Sequence, residues 1–165
     1  MPHIAFRPGR AEDGEGILAV HLAAIHAVED AFYDEVNRES WAYGLSAEGY
    51  ARAMQGGEIF EVAVAPDEII CGFCGVKDDE IMGLYVHPEW QGRGLGKALL
   101  KNGEERLTAA GNVELKLTAS LNATAFYAAN GWRLLGHSLV VSRGGLEQRV
   151  ADMQKSFADA GRAHD

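Results

Sequence analysis

The stretch His87-Pro88-Glu89-Trp90-Gln91-Gly92-Arg93-Gly94-Leu95-Gly96-Lys97-Ala98-Leu99-Leu100 decides how this chain is read. Glu80–His87 before it has the composition of a strand, closed by Pro88. After it, Leu95 to Ala109 places Leu95, Leu99, Leu100 and Leu107 at helical spacing, with Gly111 as a natural C-terminal stop. Strand, Gly-rich loop and helix in that order aim successive backbone N–H groups at one spot, backed by the positive end of the helix dipole. Glycines let the backbone approach a ligand with no Cβ in between. The loop Gln91–Gly96 therefore reads as a cradle for a diphosphate, the alternative being a tight turn with no ligand. It is not a P-loop, because no Lys-Ser or Lys-Thr pair follows the last glycine. Nor does it follow the dinucleotide pattern, in which the third glycine lies three residues after the second; here Gly92, Gly94 and Gly96 alternate.

Working outward, His3–Arg7 predicts a first strand and Glu12 to about Val28 a helix capped by Asp13, with Ile17, Val20, His21, Ala24, Ile25 and Val28 on its apolar face. His21 and His26 read there as packing or surface residues. Asp30–Tyr43 interleaves Phe32, Tyr33, Trp41 and Tyr43 with Asp30, Asp34, Glu35 and Glu39, as a helix with a loop. Ser46 caps a short helix to Met54. Glu58–Ala65 and Ile69–Val76 are strands around a hairpin turn at Pro66-Asp67, followed by Glu80–His87. Beyond the central helix come a strand Val113–Thr118, a short helix Asn122–Ala129, and a final antiparallel pair, Trp132–Arg143 and Leu146–Met153, joined through Gly144-Gly145. The expectation is a single domain over residues 1–157 with a frayed tail at 158–165.

The 165 residues suit one core. Lys and Arg number 15 against 24 Asp and Glu, a net charge of -9. That balance argues against a nucleic-acid partner, which needs a positive surface, and is compatible with a cationic small substrate. No apolar run of about 18 residues is present, so no membrane span is expected. The N-terminus lacks the pattern of a signal peptide. Cys71 and Cys74, three apart in a strand, are expected on opposite faces, free, and without a shared metal. These features fit a reducing cytoplasm.

With those residues in view, the chain resembles the GNAT family of N-acetyltransferases. Val86 to Leu100 resembles the family's acetyl-CoA motif, with Gln91, Gly94 and Gly96 at its fixed positions. Asn122-Ala123-Thr124-Ala125-Phe126-Tyr127-Ala128-Ala129-Asn130-Gly131-Trp132, about thirty residues on, resembles its second motif. Phe6 to Asp13 looks like the family's first strand and helix. Arg143-Gly144-Gly145 and the last strand resemble a bacterial subgroup. The resemblance implies an α/β (α+β) GNAT fold: a mixed, mostly antiparallel sheet of about seven strands, splayed in the middle, flanked by about four helices.

It also implies an activity: acetyl transfer from acetyl-CoA, without a metal, to a primary amine of a small molecule or peptide, by direct attack. Gln91, Gly92, Arg93, Gly94, Leu95, Gly96 and Lys97 would hold the diphosphate. The strand edge Leu84, Tyr85, Val86 would pair with the pantetheine amides, and Asn122 would hydrogen-bond the pantetheine arm. Tyr127, at the motif's Tyr position, is the candidate acid for the departing thiolate; packing on the sheet is its alternative role. Glu80, eleven residues before Gln91, is the candidate base, weighed equally against a solvated strand-start residue. His87 reads as structural. Phe32, Tyr33, Asp34 and Trp41 are candidates for the acceptor side, against an amphipathic helix with a charged outer face. A homodimer through the last two strands is compatible with the family. The competing function is a non-catalytic acyl-CoA-binding or regulatory module on the same scaffold, which has less need of a placed phenol.

Overall fold

The strands β1 (Ala5–Pro8), β2 (Ile59–Ala65), β3 (Ile69–Lys77), β4 (Glu80–Val86), β5 (Glu114–Ser120), β6 (Arg133–Val141) and β7 (Glu147–Ser156) build one sheet in the order β1-β2-β3-β4-β5-β7-β6. The computed structural model describes residues 2–157, so the tail expected at 158–165 lies outside the described residues. Every neighbouring pair is antiparallel except β4 and β5. Five α-helices accompany the sheet, against about four expected: α1 (Gly14–His26), α2 (Glu35–Ala42), α3 (Ala47–Gln55), α4 (Leu95–Ala109) and α5 (Thr124–Ala129). No helix among the described residues is long and apolar enough to cross a membrane.

Two apolar layers sandwich the sheet. On one side Leu99, Leu100 and Leu107 of α4 pack on Cys74 and Val76 of β3, Ile81 of β4 and Leu115 and Leu117 of β5. On the other, Ile17 and Val20 of α1 and Tyr50 of α3 meet Phe60, Val62, Val64 and Phe73. Burying one such Leu, Ile or Phe side chain contributes roughly 1.5–3 kcal/mol, which is why the helical spacing of α4 and α1 was so readable.

Several details depart from the sequence reading. Asp13 does not cap α1 with its side chain. Its carboxylate instead accepts a forked pair from Arg7 at 2.8 and 2.9 Å and the Arg10 N–H at 2.7 Å, which holds its pKa below the usual carboxylate value, the Arg7 hydrogen bond being the largest cause. Cys71 and Cys74, expected on opposite faces, both enter the α4-side layer. The β2–β3 register slips between Ala63 and Val64, so Cys71 sits in a bulge that breaks the two-residue alternation. Both cysteines are free and buried. The turn at Pro66-Asp67 is a three-residue 3₁₀ turn, Pro66–Glu68, with Asp67 and Glu68 at φ of 65° and 61°.

The decisive feature for function is the junction of β4 and β5. These parallel strands pair only at Glu80↔Lys116 and Ile81↔Leu117. On its other edge β5 pairs with β7 along its whole length, from Glu114 to Ser120, while the edge of β4 from Met82 to Val86 has no partner strand on the β5 side. The sheet opens as a V, its mouth facing the Gly-rich loop.

Candidate active site

A cavity of about 430 Å³ occupies the V. Leu84, Tyr85 and Val86 of β4 line it, with Gln91, Gly92, Gly94, Leu95, Gly96 and Lys97 from the loop and first turn of α4. Gly92 and Gly94 have φ of 79° and 81°, a region that a side chain with a Cβ rarely adopts. A Cβ built on either meets no protein atom within 4 Å, so the space over the loop is open to a ligand. Gln91 spends its side chain on the protein, Nε2 donating to the Val86 carbonyl at 3.2 Å and fixing the loop to the end of β4. The Arg93 guanidinium lies 4.7 Å over the Trp90 ring and does not line the cavity, whereas Lys97 does. His87, as expected of a structural residue, accepts from the Glu89 N–H at 3.1 Å.

The far wall comes from the second motif. Asn122 and Tyr127 both line the cavity. Tyr127 is 6% exposed and its hydroxyl has no hydrogen-bond partner among the described residues. Burial pushes its pKa far above the ordinary phenol value, so it stays a neutral O–H donor. Trp132 packs edge-on to Tyr127, and its indole N–H donates at 2.9 Å to Glu104, which Lys155 also grips at 3.0 Å. That buried network behind α5 was not foreseen, because Glu104 and Lys155 are 51 residues apart.

Two further cavities meet the first at Trp41 and Tyr85, which line all three. Of the acceptor-side candidates, Trp41 is thus placed at the centre. Tyr33 lines the third cavity, but its hydroxyl donates to the Arg149 carbonyl at 2.6 Å and accepts from the Leu121 N–H at 3.0 Å, so its polar end is committed to the scaffold. Asp34 caps α2, accepting from the Asn37 N–H at 2.9 Å, and is not a cavity residue. Phe32 is exposed and lines none of the three cavities.

Glu80 does not line any of them either; its carboxylate faces Lys116 Nζ at 4.0 Å. Glu58, which the sequence reading passed over, lines the second cavity, also about 430 Å³, with His21, Tyr50, Tyr85 and Arg143. Its carboxyl lies against the Gly75 backbone, where any Cβ would collide with it. Burial raises its pKa, Lys77 opposes this, and the Glu80 charge adds to the rise.

His21 Nδ1 shares a hydrogen bond of 2.9 Å with the Tyr50 hydroxyl, while its Nε2 is buried without a partner. Burial, aided by Arg143, pushes its pKa down to about 4. The unfolded chain takes up this proton first. Stability from neutral His21 is therefore complete above about pH 6.5 and falls as pH drops toward 4, by at most about 3 kcal/mol. Urea unfolding at pH 7 and pH 4.5 is expected to show a larger acid loss in wild type than in His21→Gln. Equal losses would mean His21 does not resist protonation.

A family model described as acetyltransferase (GNAT) domain matches residues 24–156. The chain belongs to the GNAT family. Its fold is shared with a GCN5-related N-acetyltransferase (aminotransferase, class II) from Rhodopseudomonas palustris, at 30% identity over 94% of this chain and 97% of that one, TM-score 0.86. PaiA N-acetyltransferase from Thermoplasma acidophilum, solved with coenzyme A, is 24% identical over 93% and 99%, TM-score 0.72. A phosphinothricin acetyltransferase from Sinorhizobium meliloti, solved with acetyl-CoA, is 19% identical over 93% and 88%, TM-score 0.71. No curated protein matches. This GNAT domain is an acetyltransferase that takes its acetyl group from acetyl-CoA and passes it to an amine. Among the described residues no group of three or more His, Cys, Asp or Glu is placed to share a metal.

Proposed function

We propose that residues 1–157 act as one catalytic domain that acetylates a small-molecule primary amine by direct attack, with the donor in the V and the acceptor in the cavity of Glu58. The observation that carries this is the meeting of the two cavities at Tyr85 and Trp41. A donor entering from the loop side and an amine entering from the Glu58 side would come together there, which is the proximity that transfer requires. The backbone of Gln91–Gly96 and Lys97 would take the diphosphate, the free edge of β4 the pantetheine amides, and Asn122 the arm beside them.

In the reaction the substrate ammonium gives one proton to Glu58, directly or through water. The neutral nitrogen attacks the acetyl carbon, the C–S bond breaks, and the sulfur leaves with the electron pair. Tyr127 donates its hydrogen to that sulfur, the second nitrogen proton passes through water to restore the Tyr127 phenol as the amide forms, and Glu58 returns its proton to solvent. A carboxyl with a raised pKa suits the task, since the ammonium it faces has a pKa of about 10 and is nearly all protonated at neutral pH. A mere acyl-CoA-binding module would have no use for such a base beside a second cavity. Free, buried cysteines fit a cytoplasmic location, and β6, an edge strand that bears exposed Leu139 and Val141, is the contact we assign to a homodimer.

Thiol release with a panel of primary amines tests this. Wild type is expected to show an ascending pH limb in kcat/KM. Glu58→Gln should lose that limb and fall by roughly 10²-fold at neutral pH. Glu80→Gln should keep it, moved to lower pH, because one negative charge that raises the Glu58 pKa is gone. If Glu80→Gln abolishes the limb and Glu58→Gln preserves it, the base is Glu80 and the assignment is overturned.

A further inference from the structure

The Glu58 cavity has a cationic side that the acidic chain as a whole does not foretell. Arg52 of α3 and Arg143 of the β6–β7 turn both line it and both are exposed. Neither has a carboxylate partner among the described residues, although Arg7, Arg38 and Arg106 are all ion-paired. The charge of Arg143 is felt inside the cavity, where it lowers the pKa of His21 and opposes the rise at Tyr50 and Tyr85.

The turn that carries Arg143 is held in place by α2. The Ser40 and Ser142 hydroxyls are hydrogen-bonded to each other. The Gly144 N–H donates to the Ser40 carbonyl at 2.9 Å, and Gln148 Nε2 donates to the Asn37 carbonyl at 2.7 Å. Ser40 and Gln148 are buried. The approach is close enough that a Cβ on Gly144 would lie 2.6 Å from Ser40 Oγ. A buried polar latch of this kind holds the turn to one position, and with it the residue just before Gly144. A solubilising surface arginine has no need of it.

We propose that the acceptor of this enzyme is a small amine that also carries a carboxylate, which Arg143 and Arg52 hold while Glu58 receives the ammonium. This rests on the assignment of the Glu58 cavity as the acceptor site. The planar guanidinium fork matches a carboxylate in geometry as well as charge. With one anionic group in the cavity and two cations at its side, a zwitterion fits where a simple alkylamine or polyamine leaves the arginines unmatched.

The test compares ω-amino carboxylates with their primary amides as acceptors, by thiol release at neutral pH, where both sets bind as ammonium ions. The carboxylates are expected to be preferred by roughly tenfold or more in kcat/KM, mainly through KM. Arg143→Gln should bring the ratio toward one, Arg143→Lys should restore part of it, and Arg52→Gln should reduce it further. Amides used as well as the acids, a ratio unmoved by Arg143→Gln, or no acetylation of either set while acetyl-CoA still binds overturns the inference. A different failure, no rise in melting temperature with acetyl-CoA, counts against the proposed function itself.

Discussion

Gly94→Val is expected to abolish acetyl-CoA binding in a protein that still folds. Gly94 is the residue before α4, at φ of 81°, and its carbonyl accepts the Ala98 N–H at 3.1 Å. Valine resists that conformation, at roughly 1–3 kcal/mol, which lowers stability without reaching the core. The larger effect falls on the ligand. The space into which a Cβ projects contains no protein atom within 4 Å, so what a branched side chain would fill is the room we assign to the diphosphate. Wild type at a ligand concentration of 100 Kd gains about 2.7 kcal/mol from mass action and melts correspondingly higher. The variant should melt at the same temperature with and without acetyl-CoA. Gly94→Ala, with a smaller group and a milder backbone conflict, should keep a reduced response. A Gly94→Val protein that responds to acetyl-CoA as wild type does would remove the diphosphate from this loop.

The loop was legible from sequence because its chemistry is local: a strand, three alternating glycines and a helix start lie within one short run. The same holds for α4, whose expected span Leu95–Ala109 agrees with the structure. Asn122 and Tyr127 stood out for the same reason, and both line the cavity in the V. Where the reading failed, the cause was non-local. The bulge at Cys71 depends on the pairing of β3 with β2, and no composition rule announces a slipped register. Asp13 was assigned to the nearest helix, but the guanidinium of Arg7 was within reach and a forked ion pair outweighs a single cap.

The acceptor side was the least legible. Glu80 drew attention by its offset from Gln91, yet the glutamate that lines a cavity, half-buried and with a raised pKa, is Glu58, just before a different strand. Nothing at Glu58 distinguishes it in sequence from Glu61, three residues on; only the fold puts its carboxyl beside His21, Tyr50 and Tyr85. Arg143 was noticed as part of an Arg-Gly-Gly turn and its position over a cavity was not, because that depends on hydrogen bonds to Ser40 more than a hundred residues away.

Tyr127→Phe is expected to lower turnover by roughly 10²-fold while leaving acetyl-CoA affinity within a few-fold of wild type. The substitution removes one hydroxyl and keeps the ring that packs edge-on against Phe126 and Trp132, so the donor cavity keeps its shape. No protein group among the described residues loses a partner, since the hydroxyl has none to lose. What disappears is the O–H that meets the sulfur as negative charge grows on it. An unassisted thiolate leaves with a conjugate-acid pKa of about 8.5 in water, and a thiolate withdrawn from water is a poorer leaving group. Burial raises the phenol pKa and keeps its O–H intact, so the hydrogen bond to sulfur strengthens as negative charge grows while the C–S bond lengthens. The loss should therefore appear in kcat and in kcat/KM alike, with the KM for acetyl-CoA nearly unchanged. It should shrink for an acetyl donor with a more acidic thiol, which needs less help to depart. Turnover equal to wild type with acetyl-CoA and a productive amine would return Tyr127 to the packing of the sheet.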